Sequence, residues 1–197
     1  MVCAPWRRSW FSPRRAIAAI LLLTGLIAFG QGVFIFAKAS LAQILLERAF
    51  EQTLSTGKPV KPWSWADTWP VARVRVARLH AEAIALNGAS GQALAFGPGH
   101  LPNTPEPGEP GMAVYAAHRD THFAFLRDVV VGDIIRVQRQ DGQSFTFVVR
   151  ETRVAPFDAA HLAPDRPGVW IALTTCWPFD AQFHGPERFI VEAELLG

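Results

Sequence analysis

The chain has 197 residues, half of them hydrophobic, and a formal net charge of +2; that length holds one domain and an appendage, not two full domains. No acid precedes Glu47, and without Arg7, Arg8, Arg14 and Arg15 the remainder carries about −2. The basic footprint of a nucleic-acid-binding protein is therefore absent, and no nucleic-acid partner is expected.

Residues 1–15 read as a basic cytoplasmic flank. From Ala16 to Ala37 no residue is charged, and a run of about 20 apolar residues is what a helix needs to cross a hydrocarbon core. Gln31 and Gly32 are its weak points. Arginines ahead of the span and a balanced segment behind it (Lys38, Glu47, Arg48, Glu51) orient it with the N-terminus inside. The expectation is a single-pass anchor in the inner membrane, with everything after Lys38 extracytoplasmic or periplasmic. Ala37-Lys38-Ala39 also resembles a signal-peptide cleavage site, but an h-region spans only about 7–15 residues, so the length favours an anchor. Either way the domain is exported.

Residues 38–70 read as a helix followed by a strap. Ser40 to Leu54 places Leu41, Ile44, Leu45, Ala49 and Leu54 near one helical face, with Ser40 as the expected N-cap. Ser55 to Pro70, carrying Trp63, Trp65 and Trp69, reads as a strap whose indoles pack on the domain. Residues 71–197 then turn β-like. Ala72, Val74 and Val76 alternate with Arg73, Arg75 and Ala77, as on a strand with one wet face. Gly97 to Gly111, crowded with Pro and Gly, reads as a surface loop. Met112 to Ala117, Ile134 to Gln138, Ser144 to Arg150, Val169 to Thr175 and Glu187 to Leu195 complete the expected strands, with Asp141-Gly142 as a hairpin turn. Short strands separated by turn signals predict a mainly β domain closed into a barrel.

The chemistry-bearing residues stand at or near the ends of these runs. Cys3 lies in the flank, on the other side of the membrane from Cys176. A lone exported thiol is either buried and inert or kept for its reactivity. His118 follows the strand ending at Ala117, and Arg188 opens the last strand. A neighbouring imidazolium or guanidinium favours the thiolate, an imidazolium can protonate a departing amine, and a guanidinium can support a tetrahedral oxyanion. His118 and His122 are spaced as zinc ligands on one helical face, but His-Arg-Asp-Thr-His lacks the glutamate of a zincin motif, so no metal and no cofactor are expected. His122 is expected to pack beside the site, Asp120 to cap a turn, and Thr175 to support Cys176. His80, His100, His161 and His184 carry no assigned chemistry.

Several segments together resemble the sortases, specifically class GN of Gram-negative bacteria. They are the N-terminal anchor, the strap from Lys61-Pro62-Trp63 to Pro70, Gly97-Pro98-Gly99-His100, His118-Arg119-Asp120-Thr121-His122-Phe123, Leu173-Thr174-Thr175-Cys176 and Glu187-Arg188-Phe189. Two positions depart from the family pattern. Ala172 stands for the first Thr of Thr-Leu-x-Thr-Cys, and Ala117 for the Gly before the histidine. The resemblance implies a sortase-like closed β-barrel with short helices, with Cys176 as nucleophile, His118 as acid and Arg188 as stabiliser. It implies as partners a secreted protein with a C-terminal sorting signal of the Leu-Pro-x-Thr-Gly kind and an amine acceptor. Leu101-Pro102-Asn103-Thr104 mimics such a signal but is followed by Pro105, and reads as a loop. Substrate specificity is expected in Pro156 to Gly168. The rival readings are an L,D-transpeptidase, whose cysteine motif this chain does not match, and an inactive anchored barrel that binds a partner.

Overall fold

The computed structural model describes residues 13–181, 183 and 185–196; Cys3, Arg7, Arg8 and His184 lie outside the described residues. The chain divides into two compact units, Met1–Leu41 and Ala42–Gly197. The described part of the first unit belongs to helix α1 (Pro13–Thr56). Its residues from Pro13 to Leu41 are exposed all round, Phe29 and Phe36 by more than 70%. With a mean hydropathy of 2.2 in its most apolar stretch, the helix is long and apolar enough to cross a membrane. An all-round apolar helix without cover has that as its natural solvent.

The second unit is an eight-stranded closed barrel in the order β1-β2-β3-β4-β7-β8-β6-β5. Its strands are β1 (Pro70–Val76), β2 (Ala81–Asn87), β3 (Gly99–His100), β4 (Gly111–Ala116), β5 (Ile134–Arg139), β6 (Ser144–Pro156), β7 (Val169–Cys176) and β8 (Glu187–Leu195); a short helix α2 (Gly91–Phe96) follows β2. Inward positions alternate along the strands. Ala72, Val74 and Val76 of β1 meet Tyr115, Leu173, Val191 and Ala193 in the barrel core. Phe123 and Leu126, from the segment after β4, close the same core.

The expected separate helix from Ser40 does not exist: α1 runs unbroken from Pro13 to Thr56, so Ser40 is an interior residue and no N-cap. The buried stripe is Ala42, Leu46, Ala49, Phe50 and Thr53, one face at helical spacing. It lies about one position off the expected face, and Leu41 and Ile44 are more than half exposed. Leu46 and Phe50 pack with Ile84, Leu86 and Ala93 of β2 and α2. Each such burial is worth about 1.5–3 kcal/mol.

This packing also corrects the wet face of β1. Arg73 is 6% exposed, with the ring of Phe50 4.8 Å from its guanidinium carbon. It is ion-paired to Glu47, to Glu51 at 2.7 Å and to Glu82 at 2.9 Å. In the strap, Trp63 packs edge-on to Phe96 at 4.9 Å, whereas Trp65 is 79% exposed.

The Pro/Gly-rich stretch after α2 is not wholly surface loop, since Gly99-His100 is β3, bridging β2 and β4. A Cβ at Gly99 would come within 2.4 Å of the Gly88 carbonyl oxygen, so only glycine allows this close approach. The signal-like Leu101–Thr104 is a loop tied to β4. Leu101 N–H donates to Val114 O and Thr104 Oγ1 donates to Leu101 O. At the β5–β6 hairpin Gly142 has φ +86 and donates to Arg139 O at 3.0 Å, the turn that Asp141-Gly142 encodes.

Candidate active site

The strand directions build the site. β4 and β7 are parallel neighbours, in register from Gly111↔Val169 to Ala116↔Thr174, so their C-terminal ends reach the same edge of the barrel. His118 follows β4 by two residues, and Cys176 is the last residue of β7. β8 returns antiparallel to β7 and starts at that edge, with Arg188 directly opposite Cys176. Such cross-strand partners hold their Cβ atoms about 4.5–5.5 Å apart on one face.

A cleft of about 320 Å³ opens there, lined by His118, Arg119, Asp120, Thr121 and Cys176. His118 is exposed and Cys176 half-buried. The segment that carries His118 is fixed on both sides. Ala117 N–H donates to Thr174 O at 3.2 Å, Thr175 Oγ1 donates to Ala117 O at 2.7 Å, and Phe123 N–H donates to His118 O at 3.1 Å. Thr175 is 2% exposed and thus spends its hydroxyl on the backbone next to His118. The phenyl ring of Phe123, anchored in the core, holds the far side of the turn.

The structure thus joins His118 and Cys176 in one cleft and sets Arg188 beside Cys176. The guanidinium of Arg188 is turned toward the β7–β8 loop. Its Nη1 donates to Gly185 O at 3.2 Å and Glu187 O at 2.8 Å, and its carbon lies 5.8 Å from the Phe157 ring centroid. Asp120 is exposed on the cleft rim. His122 sits in a turn and His118 just ahead of it, so the two do not share a helix. Burial pushes the His122 imidazole below its ordinary pKa, opposed by a hydrogen bond that the ring donates to the backbone of Ala95 in α2. Among the described residues no three His, Cys, Asp or Glu side chains gather as metal ligands. The two departures from the family motif are packing positions. Ala172 is buried with Met112 and Val114, and Ala117 belongs to the barrel core.

One residue of the cleft had no sequence signal. Arg119, 7% exposed, donates to Pro178 O at 2.9 Å, Ala181 O at 2.5 Å and Phe183 O at 3.1 Å. Its main-chain acceptors lie some 60 positions further on, and main-chain carbonyls leave no trace in a sequence.

A closed eight-stranded barrel with this strand order, ending β7 on a cysteine, has the sortase fold. It is shared with a sortase D5 transpeptidase of Clostridium perfringens (TM-score 0.63, 23% identity, covering 80% of this chain and 99% of that one). Sortase A of Corynebacterium diphtheriae is similar too (TM-score 0.61, 23% identity, 79% and 84%). In sequence, the chain is 28% identical over 119 residues to sortase D of Bacillus subtilis (strain 168), and the match spans 60% of each chain. The sortase domain family matches residues 74–196. The chain belongs to the sortase family.

Proposed function

We propose that this protein is a membrane-anchored cysteine transpeptidase of class GN, acting in the periplasm on secreted proteins that carry a C-terminal sorting signal of the Leu-Pro-x-Thr-Gly kind. The observation that carries this reading is the convergence of His118 and Cys176 on one cleft, with Arg188 in register opposite the thiol. The Cys176 thiolate attacks the Thr carbonyl carbon, forming a C–S bond and a tetrahedral oxyanion. Arg188 swings from the Gly185 carbonyl to meet that oxyanion, where a charged donor is worth more than in water. The C–N bond to Gly then breaks, and the His118 imidazolium gives its proton to the leaving amine. A thioester and a neutral imidazole remain. An acceptor amine attacks the thioester and passes a proton to His118, and the C–S bond breaks to restore the thiolate.

In this reading residues 1–15 are the cytoplasmic flank, 16–37 the inner-membrane span, 38–70 the remainder of α1 with the strap, and 71–197 the catalytic barrel. Arginines before the span set the orientation. The similarity of the Lys61-Pro62-Trp63, Gly97–His100 and His118–Phe123 segments to class GN supports the subgroup. The experiment is incubation of the detergent-solubilised full chain with a Leu-Pro-x-Thr-Gly peptide and a primary amine. Release of the Gly fragment together with a new Thr–amine amide is the expected result. An intact peptide, with or without amine, would favour the inactive binding barrel.

A further inference from the structure

We infer that Arg119 is a positioning residue for this reaction, a clamp that fixes the imidazole of His118 relative to the thiol of Cys176. The inference rests on the transpeptidase reading above and assigns a role to a residue that reading does not use. Arg119 follows His118 directly, and Pro178, whose carbonyl it holds at 2.9 Å, stands two residues after Cys176. Its other nitrogen, Nη2, holds Ala181 O and Phe183 O further along the same loop. One nearly buried guanidinium therefore ties the segment that bears the proton donor to the segment that leaves the nucleophile. It lines the cleft itself, but all its named acceptors are loop carbonyls, so it acts on the reaction through His118 and Cys176.

The loop is also held across its base, where Trp177 N–H donates to Glu187 O at 3.0 Å, and near its far end, where Arg188 Nη1 donates to Gly185 O. The second hold loosens when Arg188 turns toward an oxyanion, and the Arg119 clamp keeps the loop in place while it does. Holding three carbonyls in different directions needs a planar fork of donors, which a lysine lacks. A misplacement of about 1 Å in a reacting pair costs about 10²-fold in rate.

The test separates positioning from general damage by the leaving group. An amide needs a proton on its departing amine, whereas a thioester releases a thiolate that needs none. Full-chain Arg119→Gln and Arg119→Lys are compared with wild type on a Leu-Pro-x-Thr-Gly peptide and on its Thr–thioester analogue. The expected result is a single-turnover acylation rate lowered about 10–100-fold on the amide and within about 3-fold on the thioester, acylation being the step in which only the amide's leaving group takes a proton from His118. His118→Ala should share that pattern. Arg127→Gln, which removes the exposed pair with Asp180 and a guanidinium 5.3 Å from the Phe179 ring on the same loop, should leave both rates unchanged. Hydrogen exchange of amides 177–186 should quicken in Arg119→Gln. Equal losses on both substrates, an unchanged amide rate, or unchanged loop exchange would overturn the clamp while leaving the transpeptidase reading intact. Failure of the wild type on both substrates would overturn that reading, and the clamp with it.

Discussion

Two arginines are buried in the barrel to nearly the same degree, Arg73 at 6% and Arg119 at 7% exposure, in opposite chemical settings. Arg73 lies under α1 among the carboxylates of Glu47, Glu51 and Glu82, so its charge is cancelled where it stands. Arg119 lies at the cleft among main-chain carbonyls, with no carboxylate partner among the described residues. The first fastens a helix to a wall, and the second fastens a loop to a reacting edge. Fold and site are thus held by separate sets of side chains, and substitutions should move stability and turnover independently.

The largest effect should come from the reacting edge. In the proposed mechanism His118→Ala should slow cleavage of the Leu-Pro-x-Thr-Gly peptide about 10²–10⁴-fold, because the departing amine loses its proton donor. Arg188→Lys keeps the charge but loses the fork, and a loss of one oxyanion donor is worth about 10²–10³-fold. Single-turnover cleavage measures both, with circular dichroism expected to match wild type. A wild-type rate in either variant would remove that residue from the mechanism.

Next in size is Arg73→Met, which should do the reverse. Its three carboxylate partners are each more than a third exposed. They rehydrate when the arginine is lost, so the cost is about 1–3 kcal/mol, less than for a pair buried on both sides. Chemical denaturation should report that loss while turnover per folded molecule stays unchanged. A turnover defect as large as that of His118→Ala would break the separation between the two regions.

The smallest effect is a pH dependence. The Arg78 guanidinium holds the Asp133 carboxyl below its ordinary pKa, burial opposes this, and the Val130 N–H assists. A depressed folded pKa stabilises above the unfolded value of about 4 and is lost as pH falls through the folded value. Thermal melts of wild type taken downward through about pH 4 should therefore fall more steeply than those of Asp133→Asn. Parallel curves would show that the pair contributes nothing to folding.

The sequence made legible whatever depends on side-chain alternation. β5, β7 and β8 are rich in Val, Ile, Leu and Phe and lie within a residue of where the pattern places them. The Cys176, His118 and Arg188 segments were visible because each ends or opens such a run. β2 was not visible, because Ala81-Glu82-Ala83-Ile84-Ala85-Leu86 has little β-branching and its Ala83–Leu86 stretch is buried on both faces, with Ile84 and Leu86 against α1 and α2 and Ala85 in the barrel core. β3 is two residues long within a Pro/Gly-rich segment, too short to give a period. The burial of Arg73 and the Arg119 clamp depend on what folds over them from distant parts of the chain.

The central claim, that Cys176 forms the acyl bond, is tested most directly by intact-mass measurement of the full chain mixed with a Leu-Pro-x-Thr-Gly peptide and no added amine. The expected result is an added mass equal to the peptide up to Thr less one water, mapped to the Cys176 fragment and released by hydroxylamine. The same adduct on a folded Cys176→Ala variant would contradict it.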